Sequence, residues 1–294
     1  MERDVPTDFE TIQRAEKEGR LIITEYPYFP RRRHFAGTRG GQKIASLLES
    51  SRPHFSKIYQ SILDNSEWFR QIPVHNSGPD DPTPCWINGM QPALDGMLLY
   101  TLARTLDPKI YLEIGSGNST KFVRRAILDH HLQTRIVSID PQPRAQVDQL
   151  CDEVIRQAFE DLPDSSYSEL LSAGDMVFID NSHRSFQNSD VTVFFTEMLP
   201  ALPAEVVYGL HDIFLPDDYP VEWKDRFYNE QYMLATYLLG GASGDTVICP
   251  GMFVSHDPQC QQTLQPLFSH DYLAGVEKHA GSFWLEKASP PIHR

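Results

Sequence analysis

One stretch constrains the fold more than any other: Tyr111-Leu112-Glu113-Ile114 followed at once by Gly115-Ser116-Gly117-Asn118-Ser119-Thr120. An apolar strand that enters a helix through two glycines turns tightly and leaves the free N–H groups of a helix start facing the space beyond the strand. From Lys109 onward the chain repeats that alternation. Short apolar strands are expected at 110–114, 135–139, 153–156, 175–179, 206–210, 246–249 and 282–285. Helical patterns at 120–131, 145–150, 191–199 and 229–239 lie between them. Strand–helix alternation of this kind implies an α/β fold with a parallel, doubly wound sheet.

Residues 1–85 read differently. A polar helical start at 9–19 precedes Leu21-Ile22-Ile23-Thr24 and the basic run Arg31-Arg32-Arg33. Apolar residues then recur at helical spacing between Gln42 and Phe69, and Gly78-Pro79-Asp80-Asp81-Pro82-Thr83-Pro84 closes the segment as a turn-rich linker. The expected division is an accessory helical segment, 1–85, and a main domain, 86–294.

Charge narrows the partners. The 294 residues carry 26 Lys and Arg against 40 Asp and Glu, a formal net charge of −14, with the excess lying beyond residue 50. So acidic a surface repels a polyphosphate backbone, which makes nucleic acid a poor substrate. The opening Met1-Glu2-Arg3-Asp4-Val5-Pro6 lacks the basic-then-apolar order of a signal peptide, and no apolar run approaches the ~18 residues of a membrane span. Cys85, Cys151, Cys249 and Cys260 are scattered and form no paired motif, which fits a reducing compartment. The expectation is a cytoplasmic protein with no membrane insertion. Whether it forms a homo-oligomer, with 1–85 as the contact, stays open.

Around the glycine turn, Gly115, Ser116, Gly117, Asn118 and Ser119 are the candidate cofactor cradle. Thr120 stands where a dinucleotide fingerprint has its third glycine, which weakens a pyrophosphate reading. Glu113 adds negative charge and suits a ligand carrying positive charge. Asp140 ends the second strand, placed to accept from ribose hydroxyls, and Glu160 follows the third strand, where an adenine ring would lie. The bland alternative is a set of strand-end turns and solvated acids.

The E-x-G-x-G turn with an acidic second-strand end resembles the S-adenosylmethionine site of class I methyltransferases. The resemblance implies that the strand-1 glycines line the methionine portion, that Asp140 holds the ribose, and that a late β-hairpin inserts the seventh strand antiparallel between strands five and six. It covers roughly residues 86–288. The segments Ile179-Asp180-Asn181-Ser182-His183 and His211-Asp212-Ile213, with Trp223 and Asn229-Glu230-Gln231-Tyr232, are similar to a largely uncharacterised bacterial branch of that family.

His183 is the general-base candidate, because a methyl acceptor must lose a proton and His titrates near neutrality. A brace to Asp190 or Asp212 is the competing role. His211 and Asp212 are read as positioning the acceptor, and Asp180 as part of the cofactor site. Asp180, His211 and Asp212 are also candidate metal ligands; Mg²⁺ prefers oxygen, whereas His211 would suit Mn²⁺, Fe²⁺ or Zn²⁺, and a divalent metal stays uncommitted. The 214–228 insertion could form a lid, a packed loop or an oligomer contact, and Trp86-Ile87-Asn88-Gly89-Met90 could cover the cofactor. The expected activity is S-adenosylmethionine-dependent O-methylation of a small-molecule acceptor. A nicotinamide-dependent oxidoreductase and a non-catalytic adenosyl-ligand module remain as alternatives.

Overall fold

The computed structural model describes residues 9–289 apart from 79, 144 and 145, and says nothing of the side chains of Ser165 and Ser168. The opening residues 1–8 and position 145, where one expected helix starts, therefore lie outside the described residues. The chain divides into two compact units, Met1–Arg31 and Arg32–Arg294. In the first, helix α1 (Phe9–Lys17) buries no residue, and Ile22, Ile23, Tyr26, Tyr28 and Phe29 are exposed.

In the second unit the expected 42–69 helical stretch breaks into α2 (Arg39–Ser50), α3 (Arg52–Asp64) and α4 (Ser66–Phe69). Thr38 caps α2 by accepting from Gly41 N–H, and Pro53 sits in the first turn of α3, where its missing N–H costs nothing. Phe55, Tyr59, Ile62 and Phe69 enter the same apolar cluster as the sheet residues Tyr111, Phe178 and Trp284. Helices α2–α4 lie inside the larger compact unit.

The sheet has seven strands in the order β3-β2-β1-β4-β5-β7-β6. Strands β1 (Ile110–Ile114), β2 (Arg135–Ile139), β3 (Glu153–Ile155), β4 (Met176–Ile179) and β5 (Val207–Leu210) are parallel, and β7 (Phe283–Glu286) runs antiparallel between β5 and β6 (Thr246–Pro250). This is the seven-stranded arrangement of the class I methyltransferase fold. Successive residues of β1 feed opposite faces: Tyr111 joins the cluster under α3, α5 (Ala93–Leu106) and α6 (Asn118–His130), while Leu112 and Ile114 join the one under α2 and α10 (Glu230–Leu239). The segment expected as one helix at 191–199 comprises α8 (Asp190–Val193) and a π-turn, Phe194–Met198. The expected 145–150 helix is a 3₁₀ turn over its described end, Asp148–Leu150. Among the described residues no helix is long and apolar enough to cross a membrane.

Candidate active site

Strand register assembles the site. Ile114 pairs with Ile139 and Ile179, and Ile179 pairs with Leu210, so the residues that follow, Gly115, Asp140, Asp180 and His211, leave the sheet side by side. Asp180 N–H donates to Ile114 O and His211 N–H to Ile179 O, which carries the ladder one residue past the strands. Gly115 sits at φ +81°, and a Cβ there would lie 1.9 Å from Asp180 O. Only glycine fits where the two strand ends touch.

The expected cofactor residues fall into two groups. Asp140 is buried and accepts from Ser116 N–H (2.8 Å) and Gln142 N–H (2.8 Å), so it ties the glycine turn to the end of β2. Asn118 donates to Asn88 Oδ1 at 3.3 Å, and Asn88 also accepts from Gln91 N–H, which brings the 86–91 loop to the start of α6. A Cβ at Gly117 would meet nothing within 4 Å, so open space lies at this helix start. The buried Nε1 of Trp86 and Nε2 of Gln91 have no partner among the described residues. Open space at the helix start and a carboxylate at the β2 end suit a nucleoside-bearing ligand.

Glu113 is placed differently. It is fully buried on the α5–α6 side, where it accepts from Tyr111 Oη (2.9 Å) and from Thr120 Oγ1, and Ser119 also bonds it. Burial pushes its carboxyl up to about 7 against those hydrogen bonds. Glu113 thus bonds the first turn of α6 from beneath. Glu160 is half-buried in the 3₁₀ turn Phe159–Asp161, and burial raises its carboxyl as well.

At the reacting end, His183 and Asp212 both hold left-handed backbone, φ +59° and +56°. Non-glycine residues in that region are uncommon and gather at functional sites. His183 Nδ1 lies 2.8 Å from Glu230 Oε2, while Nε2 lies 3.3 Å from Asp180 Oδ1 and 3.4 Å from Asp212 Oδ2. His211 Nδ1 lies 3.5 Å from both Asp180 and Asp212, and its Nε2 is 3.3 Å from Asp95 Oδ2. Burial would lower both imidazoles, but Asp180, Glu230 and Asp212 raise His183 well above the ordinary histidine value, and Asp180, Asp212 and Asp95 do the same for His211. Conversely, burial acts to raise Asp180, yet the two histidines hold it far below the usual carboxylate range.

Asp190, weighed as a brace for His183, instead accepts from Ser182 N–H and Oγ. Among the described residues no group of three or more His, Cys, Asp or Glu side chains could hold a metal ion. The 214–228 loop packs its own aromatic cluster: Tyr219 stacks on Trp223 at 6.4 Å, Phe214 meets Trp223 edge-on at 5.1 Å, and Tyr228 lies 4.6 Å from the His183 ring. Arg226 covers Trp223 at 3.8 Å, and Arg184 lies 5.2 Å from the Tyr228 ring. The basic run Arg31–Arg33 is exposed, with Arg33 N–H bonded to Asp218.

Two residues complete the network without having been singled out from sequence. Asp95 lies on α5, buried on every side, and accepts from Gly281 N–H, Ser282 N–H and His211. A lone carboxylate inside Ala93-Leu94-Asp95-Gly96-Met97-Leu98-Leu99 was the available signal. Glu230, also fully buried, was visible only as a letter within Asn229-Glu230-Gln231-Tyr232.

Residues 112–213 match the family profile described as a methyltransferase domain. The matched stretch resembles a methyltransferase domain. That match runs from β1 to just past β5 and so takes in the glycine turn, Asp140, Asp180, His183, His211 and Asp212. No curated protein matches the chain. Solved structures of distant sequence also align with the chain. An SAH-bound methyltransferase of Podospora anserina is 15% identical with a TM-score of 0.43, covering 98% of this chain and 100% of its own. An O-methyltransferase of Bacillus cereus in complex with SAH is 14% identical, TM-score 0.37, covering 83% and 99%. The O-methyltransferase TomG of Streptomyces achromogenes, in complex with SAM, is 18% identical, TM-score 0.32, covering 86% and 100%.

Proposed function

We propose that this protein transfers a methyl group from S-adenosylmethionine to an oxygen of a small-molecule acceptor, with His183 as the general base. The observation that carries this reading is the placement of His183 Nε2 among Asp180 and Asp212 at the C-terminal edge of the sheet. S-adenosylmethionine, when bound, supplies an electrophilic methyl on a positively charged sulfur. Asp140 and the Ser116–Gly117 backbone would hold its ribose and methionine ends.

The protein's own part is orientation and proton removal. His183 Nε2 accepts the acceptor's hydroxyl proton as the oxygen forms its bond to the methyl carbon, and the electron pair of the breaking C–S bond stays on sulfur. The charge formed on His183 is matched by Asp180 and Asp212. Holding acceptor and methyl in line supplies a large share of the rate in such a displacement. His211, fixed by Asp95, positions the acceptor with Asp212.

Calorimetric titration with S-adenosylhomocysteine is the first test. One-to-one binding that Asp140→Ala abolishes supports the cofactor assignment; absence of binding, or preference for NAD, overturns it.

A further inference from the structure

We infer that Glu230 is the positioning residue of the site: it fixes the His183 ring so that Nε2, not Nδ1, is the nitrogen presented to the acceptor. The inference rests on the reading of His183 as the base. Four contacts join the start of α10 to the segment after β4. Glu230 Oε2 meets His183 Nδ1 at 2.8 Å; Asn229 N–H and Glu230 N–H both bond to His183 O, at 2.9 and 3.3 Å; and Asn229 Oδ1 accepts from Ser185 N–H at 2.6 Å. The left-handed backbone of His183 is therefore clamped by its own carbonyl while its ring is clamped by a carboxylate.

Glu230 is fully buried, and its second oxygen, Oε1, has no partner among the described residues. A buried carboxylate with one partner is an expensive way to pack a helix start. The Nδ1–H donated to Oε2 leaves the lone pair of neutral His183 on Nε2, on the side of Asp180 and Asp212. Tyr228 and these two carboxylates also face the ring, and neither carboxylate approaches His183 more closely than Glu230 does. A second nitrogen held this way is the general device for choosing a histidine tautomer.

Nitrogen-15 NMR of the full chain, with His183 signals identified by their loss in His183→Gln, tests this without any substrate. The expected result is a raised titration midpoint in the wild type and, at pH above that midpoint, a neutral His183 with hydrogen on Nδ1; the midpoint falls by at least one pH unit in Glu230→Gln and returns toward wild type in Glu230→Asp. A role confined to helix packing would leave that midpoint unmoved. Hydrogen on Nε2 in the wild type, or an unchanged midpoint in Glu230→Gln, overturns the inference. Should Glu230→Gln fail to fold, the wild-type tautomer decides alone. Failure of S-adenosylhomocysteine to bind would count against the proposed activity and leave this measurement intact.

Discussion

At the scale of single residues, burial and charge pull the same side chains toward opposite protonation states. Glu113 has its carboxyl raised from 4.5 to about 7 by burial, so the folded protein holds a proton there that the unfolded chain releases. That contribution is fully present below the unfolded value and is lost as pH rises through about 7. The loss amounts to about 3 kcal/mol at 1.36 kcal/mol per unit. Urea denaturation at pH 5 and pH 8 is expected to show this fall in the wild type and a smaller one in Glu113→Gln. His183 acts in the same direction on stability, since its folded value is raised: the carboxylates stabilise its cation below the ordinary histidine value, and the gain fades as pH climbs through the folded one. Activity runs the other way, because a base must be neutral. The rate is therefore expected to rise with pH above the ordinary histidine range, and an acidic optimum would contradict the assignment. Replacing His183 with Ala is expected to lower kcat by about 10²–10⁴-fold while S-adenosylhomocysteine binds as before, read by paired kinetics and calorimetry.

At the scale of elements, two joints hold the site in register. Gly209 of β5 pairs with Trp284 of β7, and a Cβ at Gly209 would lie 2.6 Å from the indole. Trp284 also stacks on Phe178 of β4 at 5.3 Å, so it has no room to retreat. Gly209→Ala is expected to destabilise by about 1–3 kcal/mol through overpacking, measured by thermal or urea unfolding. The second joint is Asp95, which pins α5 to the start of β7 and holds His211. Asp95→Asn replaces one acceptor oxygen with an N–H donor facing backbone N–H groups, at a cost of about 3 kcal/mol in denaturant midpoint terms. These joints explain what was legible. The strand positions could be read because β-branched and aromatic runs of four or five residues alternate with helices. Helix α5 escaped because eleven of its fourteen residues are buried, which erases the one-sided spacing that marks a surface helix. The 42–69 stretch read as one element because its apolar spacing continues across the breaks at Ser51 and Asn65.

At the scale of the whole molecule, the first compact unit ends at Arg31, and its helix buries no residue. Removing residues 1–31 is therefore expected to leave the melting temperature of the remainder within a few degrees of the full chain, by calorimetry. A large loss would mean that the exposed Ile22, Ile23, Tyr26 and Phe29 are covered in solution.

Sequence alone determined the residues whose chemistry follows from local order: the glycine turn, the acid ending β2, and the Asp180–His183 and His211–Asp212 pairs at strand ends. Such features are written within a few residues, and the parallel sheet carries them to one edge whatever the details of packing. Only the tertiary structure decided which partner each imidazole takes. Asp95 and Glu230 come from helices 116 and 47 residues away from the histidines they hold, and nothing in a linear pattern sets that distance to a hydrogen bond. It also decided that Glu113 is fully buried and bonded to Tyr111, Ser119 and Thr120, because the two-residue period of β1 sends that side chain beneath α6.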